Sequence, residues 1–164
     1  MADNNRKRVQ STALIGIVAA LYVTMTLLFA PFAYGPVQLR MSEGLNHLAV
    51  FNRRYIWALT LGVLIANLFS PLGIVDVIFG TLGTLIMTSI SAFLTRHVTS
   101  IVKRLVISTV VDTIMMWSVA LELFFVAHAP FWVTYGWVAI GECLSLIVGA
   151  VLIYLLHKRI DLGR

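Results

Sequence analysis

The chain has 164 residues, 60% of them apolar and only 12% charged, with a mean hydropathy of +0.94. A soluble domain of this size leaves too much of its area exposed to hide that apolar fraction, and disordered chains are apolar-poor and charge-rich, so both classes are excluded. The remaining class is an all-α integral membrane protein, with room for five or six crossings of about 20 apolar residues each. Residues 1–164 then form one transmembrane domain. The formal charge of +5 is spread thinly over short connectors, which fits membrane topology better than a nucleic-acid patch. Cys143 is the single cysteine, so no intrachain disulfide is expected.

Apolar runs and breakers predict six helices, at about 12–30, 38–51, 55–70, 75–95, 103–126 and 132–157. The first follows Arg6, Lys7 and Arg8 and outruns the core of a signal peptide, so it is expected to be an uncleaved span. Along it Thr12, Gly16, Ala20 and Thr24 recur every four residues as a stripe of small side chains. Such a stripe allows close helix contact, either inside the bundle or with a separate membrane subunit. Pro31 and Gly35-Pro36 close this helix, Ser70-Pro71 and Gly73 divide the third from the fourth, and His128 to Pro130 divide the last two.

The second segment is short. As an α-helix, 38–51 rises only about 21 Å, against a hydrocarbon core of roughly 30 Å. Topology tests whether it crosses. Arg6, Lys7, Arg8, Arg53, Arg54, Arg96, Lys103, Arg104, Lys158, Arg159 and Arg164 occupy four polar stretches, while connectors 31–37, 71–74 and 127–131 carry no basic residue. With six crossings all eleven lie on the cytoplasmic side with both termini; without the second crossing, eight of the eleven would lie outside. Six spans are therefore expected, the second starting in a protein-lined cavity.

Arg40, the twelfth basic residue, lies inside the second helix, and Glu43, Asp76, Asp112, Glu122 and Glu142 are five of the seven acids. Each charge at bilayer depth costs on the order of 2.5–3.5 kcal/mol on insertion scales, so its retention points to function. The topology places Arg40, Glu43, Asn67 and Asp76 toward the outer ends of their helices, as for a pocket open to the exterior. Arg40, Glu43 and His47, at i, i+3 and i+7, share one face of an α-helix. Bland roles compete: Arg40 and Glu43 neutralising each other, Asp76 answering a helix dipole, Glu122 at the interface, Asp112 as a packing hydrogen-bonder. Glu142, deep in an apolar run, points most strongly to function. Tyr34, Trp117, Trp132, Tyr135 and Trp137 fall toward the outer side as an interfacial belt, with Tyr34, Trp117 and Trp137 as candidates for stacking on a flat ligand.

There is no phosphate loop, dinucleotide fingerprint, zinc helix or nucleophile elbow. The histidines are not at chelating spacing, so no metal site is expected. Nor are there matched halves with broken helices. An outward pocket without an ATP-hydrolysing motif implies that another protein supplies the energy. An intramembrane enzyme, which would need close catalytic pairs, and a stand-alone carrier or channel are the rival classes.

Specific strings add to this. The stretch from Gly35 to Leu45, with Gln38, Arg40, Ser42 and Glu43, resembles the QxRxSE signature of the queuosine-precursor transporter (QueT) family. Those proteins are the substrate-binding S components of energy-coupling factor (ECF) vitamin transporters. Residues 62–73 and 76–85 resemble a second signature, and Gly141-Glu142 a third. The likeness covers most of the chain, with two departures. The alanine-rich motif of helix one runs Ala19, Ala20, Thr24 here, and Asp112 stands where Asn is usual.

The resemblance implies a six-helix S-component bundle in the cell membrane that captures a 7-deazaguanine, preQ1 or preQ0, from outside. It further implies a coupling transmembrane subunit and two ATPase subunits that use the ATP; the chain itself is then no enzyme and holds no cofactor. Substrate contacts fall to Gln38, Arg40, Glu43, Asn67, Asp76 and Glu142, with Arg40 holding Glu43 in place. Gly16, Ala20 and Thr24 become the docking stripe. Another heterocyclic vitamin is the alternative ligand. A guanine-like edge offers two adjacent N–H donors, which suit one carboxylate in a charge-assisted pair, and a second carboxylate suits the ammonium of preQ1.

Overall fold

A computed structural model describes residues 2–35 and 38–163. Pro36 and Val37 of the first signature, Arg164 of the basic set and the side chain of Lys7 lie outside the described residues. The chain folds as α1 (Ala2–Leu28), a short α2 (Ala30–Ala33), a 3-10 helix (Met41–Val50), α3 (Arg54–Asn67), α4 (Ile74–Thr95), α5 (Ile101–Met115), α6 (Trp117–Ala127) and α7 (Phe131–His157). No strand occurs among the described residues. Arg8–Leu28, Ile74–Thr95, Ile101–Ala127 and Phe131–His157 are long and apolar enough to cross a membrane, and α3 is a shorter apolar helix.

Polarity is inverted relative to a soluble protein. Leu82, Ile86 and Phe93 of α4, Val106 and Val110 of α5, and Ile147 and Val151 of α7 stand on the surface. The buried set includes Arg40, Glu43, Asn46, Asp76, Asp112, Glu122 and Glu142. An apolar surface this continuous is covered by lipid, and charges retreat from lipid into the bundle.

The second segment departs from expectation. It is a 3-10 helix over Met41–Val50 rather than an α-helix over 38–51. Eight of its ten residues are buried, and it packs against α1, α3, α4, α5 and α7, so it forms the axis of the bundle. Its rise of about 2.0 Å per residue carries ten residues over about 20 Å, the reach an α-helix would need fourteen for. Close packing favours this tight form. An added Cβ on Gly44 would sit 2.8 Å from Gly149 Cα and 3.2 Å from the Ser145 carbonyl oxygen, so this helix and α7 cross backbone to backbone.

The expected helix 103–126 is also two helices, broken at Met116. Ser118 Oγ donates to the Met115 carbonyl at 2.9 Å, and Met116 N–H reaches back to Thr113 at 3.3 Å. A hydroxyl that takes a helix carbonyl in this way competes with the ladder and bends it. The inward face passes from Leu105, Ser108 and Asp112 on α5 to Ala120 and Glu122 on α6.

The two ends of the bundle differ in composition. At one end Phe51, Asn52, Arg53, Arg96 and Arg104 line a cleft, Asn52 donates to the Gly163 carbonyl at 3.0 Å, and Phe51 stacks on His157. At the other, Tyr34, Gly35, Ser70, Pro71, Leu72 and Leu123 line a cavity of about 240 Å³ with no basic residue.

Candidate functional site

The 3-10 helix repeats every three residues, which reorders the polar side chains it carries. Arg40, Glu43 and Asn46 fall on one row, and His47 turns to another. Asn46 Nδ2 accordingly donates to Glu43 Oε2 at 2.5 Å, and the Tyr22 hydroxyl of α1 donates to Glu43 Oε1. His47 faces α7 instead, with Nε2 2.9 Å from the Leu146 carbonyl oxygen. The shared face of Arg40, Glu43 and His47 expected for an α-helix does not form.

Arg40 does not hold Glu43. Its Nη2 lies 3.4 Å from Asp76 Oδ2, its Nη1 donates to Asn67 Oδ1 at 3.3 Å, and its Nε donates to the Ala33 carbonyl at 3.2 Å. Asn67 bridges the pair, since its Nδ2 donates to the Asp76 carbonyl at 2.8 Å and to Asp76 Oδ1 at 3.3 Å. Gly80 makes room for that amide, because a Cβ there would strike Asn67 Nδ2. The Tyr34 ring lies under the guanidinium, 5.4 Å from Cζ to the centroid, and its hydroxyl donates to the Ala66 carbonyl at 2.7 Å. Gln38 turns the chain into this cluster with a φ of 47°, a left-handed conformation that costs an L-residue about 1–2 kcal/mol.

Three further buried acids have unpartnered oxygens. Glu142 on α7 is 2% exposed, and its Oε1 has no hydrogen-bond partner. Its charge acts on those of Glu43, Asp112 and Arg40. Asp112 accepts from Ser91 Oγ at 3.0 Å through one oxygen, while the other has no partner. Glu122, expected at the interface, is instead 1% exposed with both oxygens unpartnered, and its charge acts on Asp76 and Arg40. Sequence reasoning also missed Tyr22 and Asn46. Tyr22 was legible as part of the Val18, Ala19, Tyr22, Thr26 face that α1 buries, opposite its small-residue stripe.

The structure thus brings Gln38, Arg40, Glu43, Asn67, Asp76, Glu142 and Tyr34 into one polar interior. It leaves out two aromatic candidates: Trp117 is 44% exposed in a groove with Ile78, Phe79 and Leu82, and Trp137 is 53% exposed. The larger concavity, about 380 Å³ between α5 and α7, is lined by Val102, Val106, Val110, Val151 and Leu155 among others, with little to orient a polar ligand. No group of three His, Cys, Asp or Glu residues among the described residues is arranged to hold a metal.

An interior rich in acceptors with one guanidinium suits a small ligand that presents several N–H donors. A model of the QueT transporter family matches residues 12–158. The chain belongs to that family. It is also 43% identical over 159 residues, 92% of its own length and 94% of the relative's, to the queuosine precursor transporter QueT of Lactococcus lactis subsp. cremoris (strain MG1363). No solved structure matches it. As a QueT-family member it is a transporter rather than an enzyme, and a multi-pass protein of the plasma membrane. Gln38 and Arg40 immediately precede the axial helix, and Glu43 lies in its first turn.

Proposed function

We propose that this chain is the substrate-binding membrane subunit of an ATP-driven ECF-type importer, capturing a 7-deazaguanine queuosine precursor, preQ1 or preQ0, from outside the cell. Six crossings with both termini in the cytoplasm follow from the charge distribution. Support comes from the two ends of the bundle: basic Arg53, Arg96 and Arg104 gather at one, and the cavity at Tyr34, Ser70 and Leu72 opens at the other. The 3-10 helix serves as the second crossing because protein, not lipid, surrounds it.

The observation that carries the reading is the buried carboxylate of Glu142, whose Oε1 has no partner within the protein. An unpaired carboxylate in a low-dielectric interior is costly, and the adjacent N–H donors of a guanine-like edge would satisfy it. Glu43, held by Tyr22 and Asn46, and Asp76 offer further carboxylate acceptors, while Arg40, Asn67 and Gln38 meet the ring's acceptors and Tyr34 covers a face. ATP is used by two partner ATPase subunits, and a coupling membrane subunit docks on α1. Gly16, Ala20 and Thr24 support that docking: all three are exposed, and nothing lies within 4 Å of a Cβ placed on Gly16, so the stripe is not spent on internal packing.

The test is preQ1 binding to the purified chain in detergent. Glu142→Gln should weaken binding by about 10- to 100-fold, the loss of a charged hydrogen-bond pair. If Glu142→Gln and Glu43→Gln both bind like wild type, the site assignment fails.

A further inference from the structure

We propose that Glu122 is a further ligand-binding carboxylate and that, with Glu142, it makes the site select a cationic precursor over a neutral one. This deepens the proposed function and rests on it. Five carboxylates (Glu43, Asp76, Asp112, Glu122 and Glu142) share the buried interior with one guanidinium, Arg40. Arg40 is already committed to Asp76 and Asn67. Glu43 is satisfied on both oxygens by Tyr22 and Asn46, and Asp112 on one by Ser91. The oxygens left unpartnered are one on Asp112, one on Glu142 and both on Glu122, so Glu122 is the acid with the most acceptor capacity to spare.

Placement makes these two acids a pair with distinct tasks. Glu122 lies in the middle of α6 and adjoins in sequence Leu123, which lines the cavity at Tyr34 and Ser70. Its electrostatic neighbours are Asp76 and Arg40, the upper cluster. Glu142 lies on α7, where Glu43, Asp112 and Arg40 act on its charge. Helices α6 and α7 pack on each other, and both acids are buried in the bundle. In the proposed arrangement a flat heterocycle places its paired N–H edge on Glu142 and its substituent on Glu122. There an ammonium gains a charge-assisted hydrogen bond and offsets an unpaired buried charge. A nitrile at the same place brings only an acceptor to a carboxylate that needs a donor. The chemistry selects the aminomethyl compound, preQ1, over the cyano compound, preQ0.

Binding of preQ1 and preQ0 to the purified full chain, measured by calorimetry in detergent, tests this. Wild type should bind preQ1 at least about tenfold more tightly than preQ0. Glu122→Gln, which keeps the shape and removes the charge, should weaken preQ1 by about 10- to 100-fold and bring the ratio of the two affinities to within about threefold of one. Equal binding of both compounds by wild type overturns the inference without needing a folded variant, and leaves the importer reading standing. A Glu122→Gln protein that keeps the wild-type ratio also overturns it. Binding of neither compound by wild type overturns both readings.

Discussion

The axial 3-10 helix has an arginine at each end, and the two are held in opposite ways. At its C-terminal end Arg104 Nη1 donates to the Val50 carbonyl at 3.2 Å and Nε donates to Val98 at 2.6 Å. A cation there meets carbonyl dipoles that attract it, so backbone alone suffices, and the Phe51–His157 stack packs the same end. Arg40, by contrast, sits at the N-terminal end, where the dipole repels a cation, and it is held by Asp76, Asn67 and the Ala33 carbonyl. Helix stability accounts for Arg104 but works against Arg40. The second arginine is kept for what its end of the bundle does, and three carboxylates with unpartnered oxygens lie within that same interior.

The sharpest way to break this contrast is to remove the acid that Arg40 depends on. Asp76→Leu leaves a buried guanidinium without its counter-charge, and breaking a buried pair from one side costs about 3–5 kcal/mol. Unfolding of the detergent-solubilised protein should register that loss together with loss of preQ1 binding. Replacing both partners, Arg40→Met with Asp76→Leu, should recover most of the stability and none of the binding. A single variant as stable as wild type would mean that the pair is not what holds this end.

Much of this interior was legible in the sequence because charges in an apolar chain have few places to go. Arg40, Asp76 and Glu142 stood out on that ground alone, and the breakers at Ser70-Pro71 and His128 marked connectors that the structure retains, whereas Pro31 falls inside the short α2. Partnerships were not legible. Arg40 goes to Asp76 and not Glu43, although both sit on one row of the axial helix, because Tyr22 and Asn46 already occupy both oxygens of Glu43, a choice made by tertiary contacts that no local pattern carries. Glu122 was misjudged for a related reason. The break at Met116 resets the inward face of α6, and the Ser118 hydroxyl that marks it looks like any serine in an apolar run. Trp117 and Trp137 show the converse. Their residue type suited stacking, yet both face outward, where the interfacial belt accounts for them.

The crossing of Gly44 and Gly149 lies between the two arginines and sets the register of both ends. A Cβ on Gly149 would strike the backbone of Gly44, which no side-chain rearrangement relieves. Gly149→Ala should cost about 2–3 kcal/mol in unfolding free energy, at the upper end of overpacking effects. Gly16→Ala on the open face of α1 should instead stabilise by about 0.5–1 kcal/mol, since the site is unobstructed and alanine is the better helix former. Opposite signs for the same substitution would tie the tight axial helix to the crossing; a tolerated Gly149→Ala would detach it.

A further contrast isolates the basic end. Arg104→Ala removes two hydrogen bonds from a partly buried guanidinium to carbonyl oxygens, worth about 1–2 kcal/mol together where water can replace part of them. Stability should fall by that amount, while affinity for preQ1 stays within about threefold of wild type, because Arg104 lies at the basic end with Arg53 and Arg96, opposite the cavity. Arg40→Ala should lose binding outright. If Arg104→Ala instead weakens binding as much as it weakens the fold, the two ends of the helix are mechanically joined. Closing one would then form part of opening the other, and the division into a structural end and a ligand end would not stand.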